Sequence, residues 1–307
     1  MKVISVFNQK GGVGKTTTVV NLSVALTYLD KKVLVIDMDP QANTTSGFGM
    51  DKFNIKSSIY DLFCDLLEKK VLINQASNES NNDEDIDSLA LEEESNIGEE
   101  NSEDNKNSID LDYDIDNYII KTASGVDIIC SQLALSGIEV ELVDMDPYER
   151  TQILKEIMQE VRKKSYDYVL IDCSPSLGLL SINALVASNS ILIPVQTEYY
   201  ALEGISELVN TITLVKEELN KDLEIEGILL TMFDKRVCLS YEVAEEIKIY
   251  FKDKVFKYMI PRSPRLAESP SYGLSTLQYD PNSQGSYAYM ALAEEIINKE
   301  REKTYDK

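Results

Sequence analysis

A short apolar run, Val3 to Phe7, leads into Asn8-Gln9-Lys10-Gly11-Gly12-Val13-Gly14-Lys15-Thr16-Thr17-Thr18, and no other segment limits the possible folds so much. The apolar run has the length and β-branching of a buried strand. The three glycines let the backbone turn tightly and aim successive N–H groups inward, which makes a cradle for an anion. Lys15 can reach the β- and γ-phosphates of a nucleotide, Thr16 can offer a hydroxyl to Mg²⁺, and the N-terminus of the following helix adds its own field. A glycine turn that merely joins strand to helix needs no Gly-Lys-Thr after it. A strict Gly-x4-Gly-Lys-Ser/Thr pattern would place glycine where Gln9 stands; this loop opens instead on a second lysine, Lys10.

Further apolar runs of strand length lie at Val33–Asp37, Val126–Cys130, Tyr168–Cys173, Ile191–Val195, Gly227–Met232 and Val255–Ile260. Helical patterns separate them, over Thr16–Leu29, Tyr148–Lys163, Leu202–Leu219, Tyr241–Phe251 and Ser286–Lys303. Strands alternating with helices predict an α/β fold: a mostly parallel, twisted sheet flanked by helices on both faces. Ligands of such a sheet bind beyond the carboxyl ends of its strands, where the glycine loop, Asp37, Asp39 and Asp172 all fall.

The chain of 307 residues, 43% apolar, can bury one large core or two small ones. No stretch approaches the ~18 apolar residues of a membrane span, and Met1 runs directly into the first strand, so a cytoplasmic protein without a leader is expected. Histidine is absent, which excludes Ser-His-Asp and Cys-His catalysis, imidazole zinc sites and histidine proton shuttles. Cys64, Cys130, Cys173 and Cys238 are far apart and read as buried free thiols, the alternative being a cluster shared between subunits. The net charge of −23 is unevenly spread: residues 76–117 carry sixteen acidic residues against Lys106 alone. That stretch cannot bury enough apolar surface to offset the entropy of ordering it, and a disordered or weakly structured acidic insertion is expected, either simply solvated or an arm for a basic partner.

Lys10 to Thr17 resembles the deviant Walker A motif of the ParA/MinD family of P-loop ATPases. Val33–Gln41 (Val-Leu-Val-Ile-Asp-Met-Asp-Pro-Gln) looks like that family's second strand and switch I, and Tyr168–Gly178 (Tyr-Val-Leu-Ile-Asp-Cys-Ser-Pro-Ser-Leu-Gly) like its Walker B strand and switch II. Ile193–Leu202 and Ile260–Gly273 are similar to the short, Soj-like ParA proteins, and the resemblance spans the chain outside residues 75 to 117. It implies a single ATPase domain over residues 1–307, with ATP and Mg²⁺ as ligands. The nucleotide would be held by Lys10, Gly11, Gly12, Val13, Gly14, Lys15, Thr16 and Thr17, with Gly178 near the γ-phosphate and Pro261 and Ser263 at the adenine. Mg²⁺ would be held by Thr16 and, through a water, Asp172, with Asp37 a further candidate. Lys10, Lys15 and Asp39 would be catalytic: Lys15 within the subunit, Lys10 reaching across a dimer to the partner's nucleotide, Asp39 positioning the attacking water. Ser174 stands where relatives more often have proline, Ser263 where they have asparagine and Thr213 where they often have arginine.

The function so implied is a slow, partner-stimulated ATPase. It would form a homodimer on ATP, bind DNA without sequence preference, respond to a ParB-like centromere-binding protein and associate with the nucleoid. Candidate DNA contacts are Lys216, Lys235, Arg236, Lys248, Lys252 and Arg262, with Lys257 and Arg265 nearby in sequence. The alternatives are a ParA-like ATPase positioning a protein cargo, a MinD-like membrane switch and a nucleotide-dependent regulator without turnover. The membrane alternative is disfavoured because the last helix lacks a basic face.

Overall fold

The computed structural model describes residues 1–84 and 114–305. Among them seven strands form one sheet: β1 (Lys2–Val6), β2 (Val33–Met38), β3 (Ile119–Lys121), β4 (Asp127–Ile129), β5 (Tyr168–Cys173), β6 (Ser190–Gln196) and β7 (Glu224–Thr231). Their spatial order is β3-β4-β2-β5-β1-β6-β7, and every pair is parallel except β3 with β4. The helices are α1 (Lys15–Tyr28), α2 (Asn43–Gly47), α3 (Ile59–Glu84), α4 (Leu135–Val143), α5 (Ile153–Arg162), α6 (Leu179–Ala187), α7 (Ala201–Glu218), α8 (Cys238–Phe251), α9 (Pro264–Glu268), α10 (Thr276–Tyr279) and α11 (Gln284–Tyr305).

Alternation along the strands divides the interior in two. Val3 and Phe7 of the first strand region, with Leu34, Ile36 and Met38 of β2, face a core completed by α3 to α8. Ile4 and Val6, with Val33 and Val35, face a second core completed by α1 and α11. Both faces are covered, which is why these strands read as continuous apolar runs. The chain leaves β1 for β2 on one side and later returns to β6 on the other, so β1 flanks the topological switch point, and the glycine loop leaves its carboxyl end.

Two expectations are corrected, and a third meets regular structure at its two ends. Val255–Ile260 is no strand: Phe256 and Ile260 donate backbone bonds to Ile228 and Leu230 of β7, but only isolated bridges form, because Lys257 N–H turns away to the Glu295 carboxylate at 3.0 Å. The helix predicted over Tyr148–Lys163 is broken at Gln152, between a 3₁₀ turn (Glu149–Thr151) and α5; there Leu154 N–H is taken by Asn183 Oδ1 at 3.1 Å. The acidic stretch over 76–117, predicted as disordered or weakly structured, is entered from both sides by regular structure. α3 continues to Glu84, and Asp114 caps a 3₁₀ turn (Ile115–Asn117) whose Ile115 is buried. Residues 85–113, which hold the rest of that expectation, lie outside the described residues.

Candidate nucleotide site

The glycine loop is fixed before any ligand is considered. Gly12 (φ 74°) and Gly14 (φ 92°) are left-handed, where a side chain would strain the backbone, and α1 begins directly after Gly14. Asn8 donates from Nδ2 to the Pro194 carbonyl at 2.7 Å and accepts from Lys10 N–H at 2.9 Å. At the far side, Thr231 Oγ1 donates to the Val13 carbonyl at 2.8 Å. The loop is thereby tied to the ends of β6 and β7. Lys15 is buried and donates from Nζ to the Lys10 carbonyl at 3.0 Å, so its ammonium lies across the loop. Burial lowers its pKa from the ordinary lysine value, while Asp172, and more weakly Asp39, pull the other way.

Asp37 and Asp172 are register partners on β2 and β5, both fully buried at the carboxyl edge of the sheet. The oxygens of Asp37 are engaged by Thr45 N–H (2.8 Å), Thr45 Oγ1 (2.7 Å) and Asp39 N–H (3.2 Å), so Asp37 shapes the turn that follows β2. Asp172 Oδ2 accepts from Thr16 Oγ1 at 2.8 Å and Thr44 Oγ1 at 2.6 Å, whereas its Oδ1 is buried without a partner. Burial raises the pKa of both carboxyls, and the negative charge of Asp172 raises that of Asp37 further. An orphaned buried carboxylate oxygen beside a threonine hydroxyl is what a hard cation would satisfy. No group of three or more His, Cys, Asp or Glu residues converges among the described residues. The donor set therefore fits Mg²⁺, which takes one or two protein oxygens and completes its shell with phosphate and water.

The remaining predicted residues surround this centre. Asp39 is buried and accepts from Gln41 N–H at 3.0 Å. Gly178 precedes α6 in extended conformation; an added Cβ would collide with the Glu139 carboxylate, which accepts from Leu180 N–H at 3.2 Å. Lys10 points outward, about half exposed, and pairs with Glu198 at 2.7 Å. A cavity of about 470 Å³ adjoins the loop; Gly14, Thr17, Met232, Pro261, Ser263 and Tyr289 are among its walls. Met232 is left-handed (φ 52°), an uncommon state for a residue with a side chain.

A family model described as an AAA domain matches residues 1–225. The sporulation initiation inhibitor protein Soj of Bacillus subtilis (strain 168) is 44% identical over 295 residues, which cover 96% of this chain and 98% of that protein. The chain is a Soj-like member of the ParA/MinD family. The chromosome partitioning protein ParA of Myxococcus xanthus (strain DK1622) is 39% identical over 303 residues, covering 99% of this chain and 90% of its own. Among solved structures, cobyrinic acid a,c-diamide synthase from Mycobacterium smegmatis with bound ADP and magnesium superposes with a TM-score of 0.72 at 25% identity, covering 98% of this chain and 95% of that one.

Within this ParA/MinD chain the predicted loop, switch and base-side residues come together, but the predicted basic surface does so only in part. Arg236 and Arg262 line the cavity beside the loop, and Arg236 is held by the Asp234 carboxylate at 2.7 Å. Lys248 pairs with Glu245 at 2.9 Å, and Arg265 with Glu268 at 3.0 Å and Asp280 at 3.2 Å. Lys216, Lys235 and Lys252 are exposed. Cys130 and Cys173 are buried free thiols as expected, but Cys64 is half-buried and Cys238 exposed, and all four are unbridged. Thr44, Thr45, Thr231 and Met232 were not foreseen. The one sequence signal for the first two is a hydroxyl pair a few residues past a strand-end aspartate. No helix among the described residues is long and apolar enough to cross a membrane.

Proposed function

We propose that the chain is a DNA-partition ATPase, active as a dimer that ATP assembles and that hydrolysis releases. The observation that carries this reading is the unpartnered Asp172 oxygen beside Thr16, at the mouth of a loop that already places the Lys15 ammonium. The similarity to Soj and ParA over nearly the whole chain supports the partition role. ATP enters with its phosphates in the Gly11–Thr17 cradle, where the loop amides and Lys15 neutralise charge, and its base in the cavity walled by Pro261 and Ser263. Thr16 and, through a water, Asp172 would hold Mg²⁺, which would draw charge from the phosphate oxygens. Asp39 orients the attacking water, and Gly178 offers its N–H near the γ-phosphate, so that the loop distinguishes ATP from ADP. Lys10 leaves Glu198 and reaches the partner's nucleotide, which makes turnover slow in the monomer and dependent on assembly.

The dimer then binds DNA through exposed lysines, Lys216, Lys235 and Lys252 among them, with Lys248, Arg236 and Arg262 contributing where they leave their present contacts. A ParB-like protein stimulates hydrolysis, and the protein is cytoplasmic and nucleoid-associated. Residues 1–307 act as one ATPase domain, with the acidic insertion at residues 76–117 standing outside its chemistry. Phosphate contacts release counterions, so affinity for DNA falls steeply with salt. A titration of duplex DNA of unrelated sequences with ATP and with ADP at several salt concentrations tests the reading. Binding with ATP alone and a steep negative salt slope is expected; absence of binding with either nucleotide would shift the proposal to a protein cargo.

A further inference from the structure

Gly49 and Gly273, far apart in sequence, meet backbone to backbone. Both are left-handed, at φ 77° and φ 65°. A Cβ on Gly273 would collide with Gly49 Cα and lie 2.9 Å from Gly49 N; one on Gly49 would lie 3.3 Å from the Gly273 carbonyl oxygen. No side chain cushions the junction, so neither strand of chain can shift toward the other without moving it.

What each glycine terminates gives the contact its meaning. Gly49 closes the segment that starts after β2, contains Asp39, and carries through α2 the Thr44 hydroxyl that bonds Asp172. That segment is strained at its start, where buried Ala42 holds φ 53°, and is closed at its end by Gly49 N–H on the Ser46 carbonyl at 2.9 Å. Gly273 closes the segment that starts at Pro261 and, through Ser263 and α9, walls the base-side cavity. The first segment and the chain just past the second also bear on α1. A Cβ on Gly47 would lie 3.0 Å from Val20 Cγ2, and Thr276 N–H donates to Asn21 Oδ1 at 2.7 Å while Asn21 Nδ2 holds the Thr17 carbonyl at 2.8 Å. With α1 as common footing, the glycine junction is where a shift of one segment presses directly on the other.

We propose that the Gly49–Gly273 contact couples occupancy of the base-side cavity to the Asp39–Gly49 segment, which makes the two glycines positioning residues for hydrolysis. The proposal rests on the nucleotide reading of the site. A ligand that fills the phosphate loop but not the cavity will leave the Asp39–Gly49 segment less ordered than one that fills both, because only the second braces Gly273 against Gly49.

Amide hydrogen exchange with saturating Mg²⁺-pyrophosphate and saturating Mg²⁺-ADP separates the two cases. In the parent protein ADP should slow exchange over residues 42–49 at least about fivefold more than pyrophosphate does, the lower end of ordinary coupling between sites. Gly273→Asn, which tolerates the left-handed backbone but brings a Cβ to the junction, should erase that difference while ADP still protects residues 11–17. Gly125→Asn is the control for glycine strain alone: its φ is 83°, and a Cβ there meets only the Thr27 methyl at 3.1 Å. It should keep the difference. Gly49→Asn is the milder wedge and should act like Gly273→Asn even if the latter destabilises the fold. Equal protection of 42–49 by ADP and pyrophosphate in the parent, or an undiminished difference in both junction variants, overturns the coupling while leaving nucleotide binding intact. Failure of ADP to protect residues 11–17 in the parent overturns the nucleotide reading and the coupling with it.

Discussion

Lys10 and Lys15 belong to one short loop yet occupy opposite surroundings, and the difference is measurable. Lys15 is 7% exposed and folded across the loop, whereas Lys10 stands at the rim on Glu198. Removing a buried cation that meets phosphate forfeits charge-assisted hydrogen bonds of about 1.5–3 kcal/mol. Lys15→Ala should therefore lose ATP affinity by about tenfold or more. Lys10→Ala gives up only an exposed pair, worth at most about 1 kcal/mol, and should keep affinity within a few-fold while losing dimerisation and turnover. Equilibrium nucleotide binding run beside light scattering checks both; equal losses of binding would remove the trans role of Lys10. The thiols give a second contrast. Burial pushes the Cys130 thiol up to about 12 and that of Cys173 higher still, so neither forms thiolate near neutral pH, while Cys238 is exposed. Iodoacetamide at pH 8 should label Cys238 on the native protein and all four cysteines after unfolding; mass spectrometry of digested protein reports it, and native labelling of Cys173 would contradict the burial. At this scale the glycine turn before α1 was legible because the spacing of Gly11, Gly12 and Gly14 demands a tight loop there. Thr44 and Thr231 were not, since a hydroxyl's partner is set by where the fold carries it. The same holds for Met232, whose left-handed backbone leaves no mark in its residue type.

Elements with both faces buried announced themselves. β5 was bounded correctly from its apolar run, and β1, β2, β6 and β7 to within a few residues. What failed were elements whose character depends on neighbours. β3 is three residues of antiparallel edge, too short for any periodicity, and α6 is buried almost all round, with Ser181 and Asn183 inside, because it lies between the sheet and its flanking helices. The segment over Val255–Ile260 has the composition of a strand, but Phe256 turns its ring onto Gly227, at 2.5 Å from where a Cβ would sit, and the ladder stops. Ile115 shows how composition can mislead at a boundary: it sits at the end of an acidic run, yet it is 3% exposed in the core beneath α3. Ile115→Ala should cost about 2–4 kcal/mol of unfolding free energy, as for other large-to-small changes at closed sites. Asp116→Asn, which touches only the exposed pair with Lys164, should stay within about 1 kcal/mol. Urea denaturation of the two variants decides it, and an unchanged midpoint for Ile115→Ala would mean that the acidic run contributes nothing to the core after all.

Across the whole molecule the site is assembled from segments spread from Asn8 to Tyr289, held together by one parallel sheet and by α11 packed on α1. The architecture was legible because alternating strands and helices leave few topologies, and the ligand edge follows from the sheet's direction. The basic surface was less so: a count of lysines and arginines cannot say that Arg236 is clamped by Asp234 or that Arg262 faces the cavity. The spread of the site along the chain also has a consequence in time. The glycine loop is translated before the cavity wall at Pro261 and Tyr289, which follows roughly 240 residues or more later. At about 5–20 residues per second that gap is on the order of ten to fifty seconds. Throughout it a nascent chain carries the glycine loop without the residues that wall the adjoining cavity, so the cavity closes only late in synthesis.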